Sequence, residues 1–225
     1  MSQHTNTLGQ PVGAPLPTWT PPPLPSREPM VGRTCTVAPL DPAAHSADLH
    51  AANILEPTGR LFTYLAMQPF GDAAAHRAWS NEAAAGADPM FHTIVATDTG
   101  KAAGIAAYMR IDRNNGVIEV GHINFSPLLQ QTIAATEAMY LMMARAFALG
   151  YRRYEWKCDS CNLPSRAAAA RLGFQYEGRF RQAVVTKGRN RDTAWYAAVD
   201  GEWPALRAEF ERWLARVPVP HESLG

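Results

Sequence analysis

From position 116 to position 174 the chain reads as strand, short loop, helix, strand and helix, and this order constrains the fold more than any other feature. When a strand is followed by a crossover helix and a second strand of the same sheet, the two strands lie parallel. A helix that starts directly after a strand also turns its unpaired first-turn N–H groups toward whatever lies beyond the strand end, a natural site for an anion. The first strand is Val117-Ile118-Glu119-Val120-Gly121-His122-Ile123-Asn124-Phe125, and the helix runs from about Thr132 to Leu149. Tyr154 to Cys158 then forms the second strand, and Asn162 caps a helix that tolerates Pro164 in its first turn and ends at Gly173.

Three strands are expected before this unit, the last two continuing antiparallel into the Glu119 strand. They are residues 35–40, then 92–97 and 103–111 joined by the Asp98-Thr99-Gly100-Lys101 turn, and Asn114-Asn115-Gly116 leads on into the Glu119 strand. Helices are expected over 42–55 and 72–85, the second capped by Asp72 and ended by Gly86. After Gly173 a hairpin of 174–185 and 191–199 should flank Lys187-Gly188-Arg189-Asn190, followed by a helix over 203–214. The expected architecture is an α/β (α+β) mixed sheet, mostly antiparallel with one parallel pair and helices on both faces.

Eight of the 18 prolines fall between Pro11 and Pro29, where fixed φ and missing donors exclude helix and central strand. Residues 1–30 therefore read as an extended arm, either a ligand for a proline-recognising module or a strap laid on its own domain by Trp19 and Leu24. Residues 31–217 form one domain and 218–225 a tail. A net charge of +1 supplies no broad basic field for nucleic acid. No basic-then-apolar leader opens the chain, and the apolar run 139–149 is short and interrupted by Arg145. With only three cysteines, the expectation is a soluble cytoplasmic protein without nucleic-acid or membrane partners.

Strict alternation places Glu119 on an otherwise apolar face with Val117, Gly121, Ile123 and Phe125. A carboxyl group buried there is a candidate general base, and an arginine partner is the alternative. His122 and Asp159 are reserve bases. Cys158-Asp159-Ser160-Cys161 places a CxxC between strand and helix, as in a redox pair, but no second ligand pair accompanies it for a metal. Phe62, Tyr64, Phe70 and Trp156 are candidates to wall a substrate cleft. Arg179, Arg181, Lys187, Arg189 and Arg191 make a basic hairpin, read either as a solvated face or as an anion contact.

Thr136-Glu137-Ala138, Asn162-Leu163-Pro164-Ser165-Arg166, Arg171-Leu172-Gly173-Phe174, and Glu177-Gly178 followed by Gly188 and Asp192 together resemble the GNAT superfamily of acetyl-CoA-dependent N-acetyltransferases. The likeness extends over about 32–214 and is greatest to the ribosomal-protein N-terminal acetyltransferase branch. It implies that the parallel strands splay apart, with acetyl-CoA in the opening. The family's diphosphate loop reads Gln/Arg-x-x-Gly-x-Gly/Ala. Here Gln130-Gln131-Thr132-Ile133-Ala134-Ala135 takes its place, with Ile133 where the central glycine stands. Amide binding survives that change provided Ile133 keeps a negative φ.

The resemblance further implies cofactor contacts from Ile123, Asn124, Phe125, the loop through Thr136, Asn162 and Arg166. Glu119 would be the base, and Ser165 the group that meets the leaving sulfur. Relatives often carry a tyrosine seven residues beyond the asparagine, where this chain has Ala169. The implied activity is acetyl transfer to a primary amine of a small molecule or a peptide, by direct attack. A silent acyl-CoA-binding module and a CxxC oxidoreductase are the competing readings. The acceptor is open, and so is the oligomeric state, with a homodimer among the options.

Overall fold

The computed structural model describes residues 4–216, so the tail expected at 218–225 lies outside the described residues. In chain order the elements are β1 His4–Thr5, β2 Pro11–Val12, β3 Met30–Val31, β4 Cys35–Pro39, α1 Pro42–Asn53, α2 Ala73–Ala85, β5 Met90–Ala96, β6 Ala102–Asp112 and β7 Val117–Phe125. They continue with α3 Ile133–Ala148, β8 Arg153–Asp159, α4 Leu163–Arg171, β9 Gln175–Thr186, β10 Arg189–Val199 and α5 Trp203–Arg216. β1 and β2 form a separate ribbon. The other strands make one eight-stranded sheet in the order β3-β4-β5-β6-β7-β8-β10-β9. Only β7 and β8 pair in parallel, joined through α3.

Helix starts follow local side-chain chemistry. The side chains of Asp41, Asp72, Thr132 and Asn162 each accept an N–H from the first turn of α1, α2, α3 and α4 respectively, satisfying a donor that the helix itself cannot. α3 lays Ala138, Met139, Met142 and Ala146 on one face of the sheet, against Ile118, Val120 and Tyr154. Leu49 of α1 packs on the other face with Leu40, Phe91, Ile105 and Ala107. Both faces are therefore covered, as the continuous apolar run of β6 from Ala102 to Tyr108 requires. Among the described residues no helix is long and apolar enough to cross a membrane.

Glu137, read in sequence only as part of a motif, fastens the two layers. Buried on α3, its carboxylate accepts the N–H groups of Arg33 at 2.8 Å, Thr34 at 2.6 Å and Cys35 at 3.2 Å, together with the Thr34 hydroxyl. A Cβ at position 32 would stand 2.6 Å from Glu137 Cδ, which is why glycine occupies that place.

The proline-rich arm lies on the domain. Asn114 O accepts from Trp19 Nε1 at 3.2 Å, Pro22 O from Arg113 Nε at 2.7 Å, and Pro23 O from the Tyr151 hydroxyl at 3.2 Å. Trp19 is an anchor as expected, but Leu24 is not: it is exposed, and Pro22 and Pro25 are the buried residues. The closing hairpin also turns more tightly than expected. Lys187 and Gly188 alone form the turn, both at positive φ, and Arg189 already pairs with Thr186.

Candidate functional site

Two bulges in neighbouring strands shape the site. From Ile105↔Asn124 to Ala107↔Gly121, β7 advances three residues while β6 advances two, and His122 in the extra position takes φ 49°. The added residue reverses the alternation expected for β7. Ile123 and Phe125 pack on the same core as Ile118 and Val120, whereas His122 meets the ring of Phe91 on the opposite face. In β6 the extra residue is Arg110, at φ 47°.

The parallel pairing of β7 and β8 runs from Val117↔Arg153 only as far as Val120↔Trp156. Beyond that point the strands diverge, leaving a cavity of about 580 Å³ lined by both strands, the 64–66 loop, α4 and the β9–β10 hairpin. Hydrogen bonds hold its roof: the Lys187 ammonium at the hairpin tip donates to Phe62 O at 2.6 Å, and the Tyr64 hydroxyl donates to Cys161 O at 3.2 Å.

Glu119 sits on the cavity wall, 2% exposed, and it has the arginine partner that was the alternative reading. Arg110 Nη1 reaches both of its carboxylate oxygens, at 2.7 and 2.8 Å, and Lys157 Nζ stands 2.9 Å from Oε2. Glu155 faces Glu119 in the parallel register and shares Lys157 at 2.6 Å. Arg153 in turn contacts Glu155 at 2.6 Å and Glu177 at 2.5 Å. Burial, then the charge of Arg110, lower the pKa of His122, so its imidazole is neutral near pH 7.

Ser165 and Asn162 enter the cavity from the start of α4. Ser165 Oγ accepts the indole N–H of Trp156 at 3.0 Å, and Asn162 Oδ1 is engaged as the helix cap at 3.1 Å, leaving its Nδ2 for a ligand. Burial raises the pKa of the Cys158 thiol, with the Ser165 hydrogen bond opposing the shift. Cys158 is buried, Cys161 is exposed and both are free; a thiol held protonated is poorly suited to redox exchange. Ala169 is fully buried in the core.

Of the other sequence candidates, Ile123, Tyr64 and Trp156 line the cavity. Phe62 and Phe70 do not. They pack edge to face with each other, and Phe70 also packs on His76 and Trp79, which makes these rings part of the layer around α2. Arg166 is likewise turned away, donating to the Tyr196 hydroxyl at 3.2 Å and Ser160 O at 3.3 Å beside a neighbouring cavity that also holds Arg179 and Arg181. Asn124 is buried with Oδ1 unpartnered, and Gln130 Nε2 ties the loop to Phe125 O at 2.8 Å.

Positive φ in that loop falls on Gln131, at 61°, whereas Ile133 is the first residue of α3 and keeps negative φ. With Thr132 capping Ala135 N, the first-turn amides of Ile133 and Ala134 point off the helix end, where an anion is stabilised. Ala135 and Thr136 continue the first turn, and Arg171 Nη1 donates to Thr136 Oγ1 at 3.1 Å.

Lys157, Arg110, Glu155, Thr193 and Trp195 border or support the cavity but were not read as site residues, and Arg191 was read only within the basic hairpin. A signal was present for two of them, Glu155 and Lys157, since charges at 153, 155 and 157 recur with period two between the apolar positions 154, 156 and 158. Among the described residues no group of three or more His, Cys, Asp or Glu is placed to hold a metal.

A family model described as an acetyltransferase (GNAT) domain matches residues 37–175. The chain is similar to the solved structure of a GCN5-related N-acetyltransferase from Brucella melitensis, at 45% identity over 93% of this chain and 95% of that one, with a TM-score of 0.87. A protein described as a probable GNAT-family acetyltransferase from Chromobacterium violaceum is 39% identical over 87% of this chain and 98% of its own, with a TM-score of 0.80. The fold also matches a RimL ribosomal L7/L12 α-N-protein acetyltransferase in complex with coenzyme A, at 22% identity over 76% of this chain and 98% of that one, with a TM-score of 0.64. No curated protein matches the chain.

Proposed function

The chain belongs to the GNAT acetyltransferase family, and from that premise we propose that its cavity transfers the acetyl group of acetyl-CoA to a primary amine by direct attack. The observation that carries the proposal is the loss of β7–β8 pairing beyond Val120↔Trp156, beside a buried carboxylate. The residues fit the co-substrate. The edge of Gly121–Phe125 that faces away from β6 offers unpaired main-chain groups to an extended amide-bearing arm, and the capped start of α3 suits a diphosphate. When bound, acetyl-CoA supplies an activated acetyl thioester and departs as the free thiol.

In this reading Glu119 takes the proton that the amine nitrogen loses as its bond to the acyl carbon forms, directly or through one water. Arg110 and Lys157 fix the orientation of its carboxylate. Main-chain N–H groups at Ile123 and Phe125, on the edge away from β6, are the chain's donors for the acyl oxygen. Asn162 Nδ2 holds the pantetheine arm, and Ser165, at the start of α4, is the hydroxyl for the sulfur as the C–S bond breaks. Three free thiols suit a reducing cytoplasm, and the reading includes no nucleic-acid or membrane partner.

The test is thiol release from acetyl-CoA across a panel of amino acids, peptide α-amines, polyamines and aromatic amines. Release that requires the amine is expected. Acetyl-CoA binding with no release on the whole panel would instead establish a silent binding module.

A further inference from the structure

We infer that the acceptor amine carries a carboxylate, held by Arg191, Thr193 and Trp195 on the β10 wall; this rests on the reading of the cavity as an acetyl-transfer site. Alternation along β10 turns these three residues into the cavity, while Asp192 and Ala194 face the neighbouring one. Each of the three has a buried polar atom with no hydrogen-bond partner: Nε of Arg191, Oγ1 of Thr193 and Nε1 of Trp195. Thr193 is 5% exposed. A buried polar group left unpaired is costly, so three on one wall mark a surface completed by a ligand.

Charge narrows the ligand. Arg110 and Lys157 are matched by Glu119 and Glu155, and Asp159 accepts the Cys161 N–H at 2.8 Å. Arg191 makes no ion pair among the described residues, so of the three cations that line the cavity it is the one without a carboxylate partner. A guanidinium, a hydroxyl and an indole N–H can each donate to a planar, acceptor-only anion, which describes a carboxylate. The same wall is apolar between its polar atoms. Phe180 stacks on Trp195 at 4.4 Å between centroids, Val184 lies alongside, and Lys157 Nζ sits 3.8 Å over the Trp195 ring. The wall thus favours an amino acid with an apolar side chain and disfavours a polycation.

The experiment uses the full chain with leucine, phenylalanine and tryptophan, each as the free acid and as the primary amide. Thiol release is measured in parallel with calorimetric binding of the matching N-acetyl acids and N-acetyl amides. The acid is expected to exceed its amide by about tenfold or more in kcat/KM, and R191Q is expected to bring that ratio close to one, with R191K in between. Amides that react as well as acids, or an R191Q loss equal for both, would overturn the inference. If no acceptor releases thiol, yet an N-acetyl acid binds and R191Q weakens it about tenfold while sparing the amide, the anion site stands and the transfer reading falls. Absence of both release and acid-selective binding rejects the two together.

Discussion

Two polar clusters border the same cavity and differ in one respect. The ladder across β6, β7, β8 and β9, Arg110-Glu119-Lys157-Glu155-Arg153-Glu177, is closed, because each carboxylate in it touches at least one cation of the same set. The row on β10, Arg191-Thr193-Trp195, is open. A closed ladder needs no ligand to justify its burial and acts as a frame that holds Glu119 in one orientation. An open row is complete only when something fills it. The contrast separates the residues that build this site from those that wait for its occupant, although all of them line or adjoin one cavity.

The largest effect is expected where frame and chemistry meet. Glu119→Gln keeps the shape of the side chain but removes its charge and basicity, and turnover in the thiol-release assay should fall about 10²-fold or more. The dissociation constant for acetyl-CoA should stay within about twofold, because neither the strand edge nor the loop is touched. Unchanged turnover in a protein that still binds acetyl-CoA would remove Glu119 from the mechanism and leave it a purely structural member of the ladder.

Lys157→Met breaks the frame itself. It leaves Glu119 and Glu155 facing each other in register without the cation between them, and the urea midpoint should report a loss of about 3 kcal/mol. Adding Glu155→Gln removes one of the two opposed charges and should recover part of the loss. If K157M unfolds no more readily than the parent, the ladder is solvated enough in solution that its closure does not matter. A smaller effect is expected from Asn162→Asp. Aspartate caps α4 as well as asparagine but loses Nδ2, so acetyl-CoA should bind about tenfold more weakly by calorimetry with thermal stability nearly unchanged. No change in affinity would confine Asn162 to its role as a cap.

Much of the frame was legible in the sequence because its signals are local. Asp72, Gly86, Asn162 and Gly173 punctuate helices through backbone chemistry that two or three neighbours decide, and the order of strand, helix and strand required the parallel pair. The bulges were not legible. His122 and Arg110 carry no glycine or asparagine mark for positive φ, and which strand takes the extra residue is settled only by pairing across the sheet. That missed residue is why alternation put Ile123 and Phe125 on the wrong face.

The aromatic loop failed for a related reason. It has no period, so Tyr64 could not be separated from Phe62 and Phe70 before the loop folded over the α2 layer. Arg191 was visible only as one member of a basic run, and its separation from Arg179 and Arg181 depends on which face of β10 looks into which cavity.

The smallest effect should come from the position that departs most visibly from its family's loop. Glycine is useful at such a site when the chain needs a left-handed residue or a backbone approach that a Cβ would block. Here the left-handed residue is Gln131, two positions earlier, and Ile133 already has helical backbone as the first residue of α3. Ile133→Gly therefore relieves no backbone strain, and it weakens the helix start by less than about 1 kcal/mol because the position is terminal. Affinity for acetyl-CoA should change by less than about threefold in either direction. Tightening of tenfold or more would show instead that the isoleucine side chain, rather than the backbone, obstructs the diphosphate. The α3 start would then be a partly blocked anion site, and the open donors of β10 would not be the only part of the cleft shaped by what has to fit there.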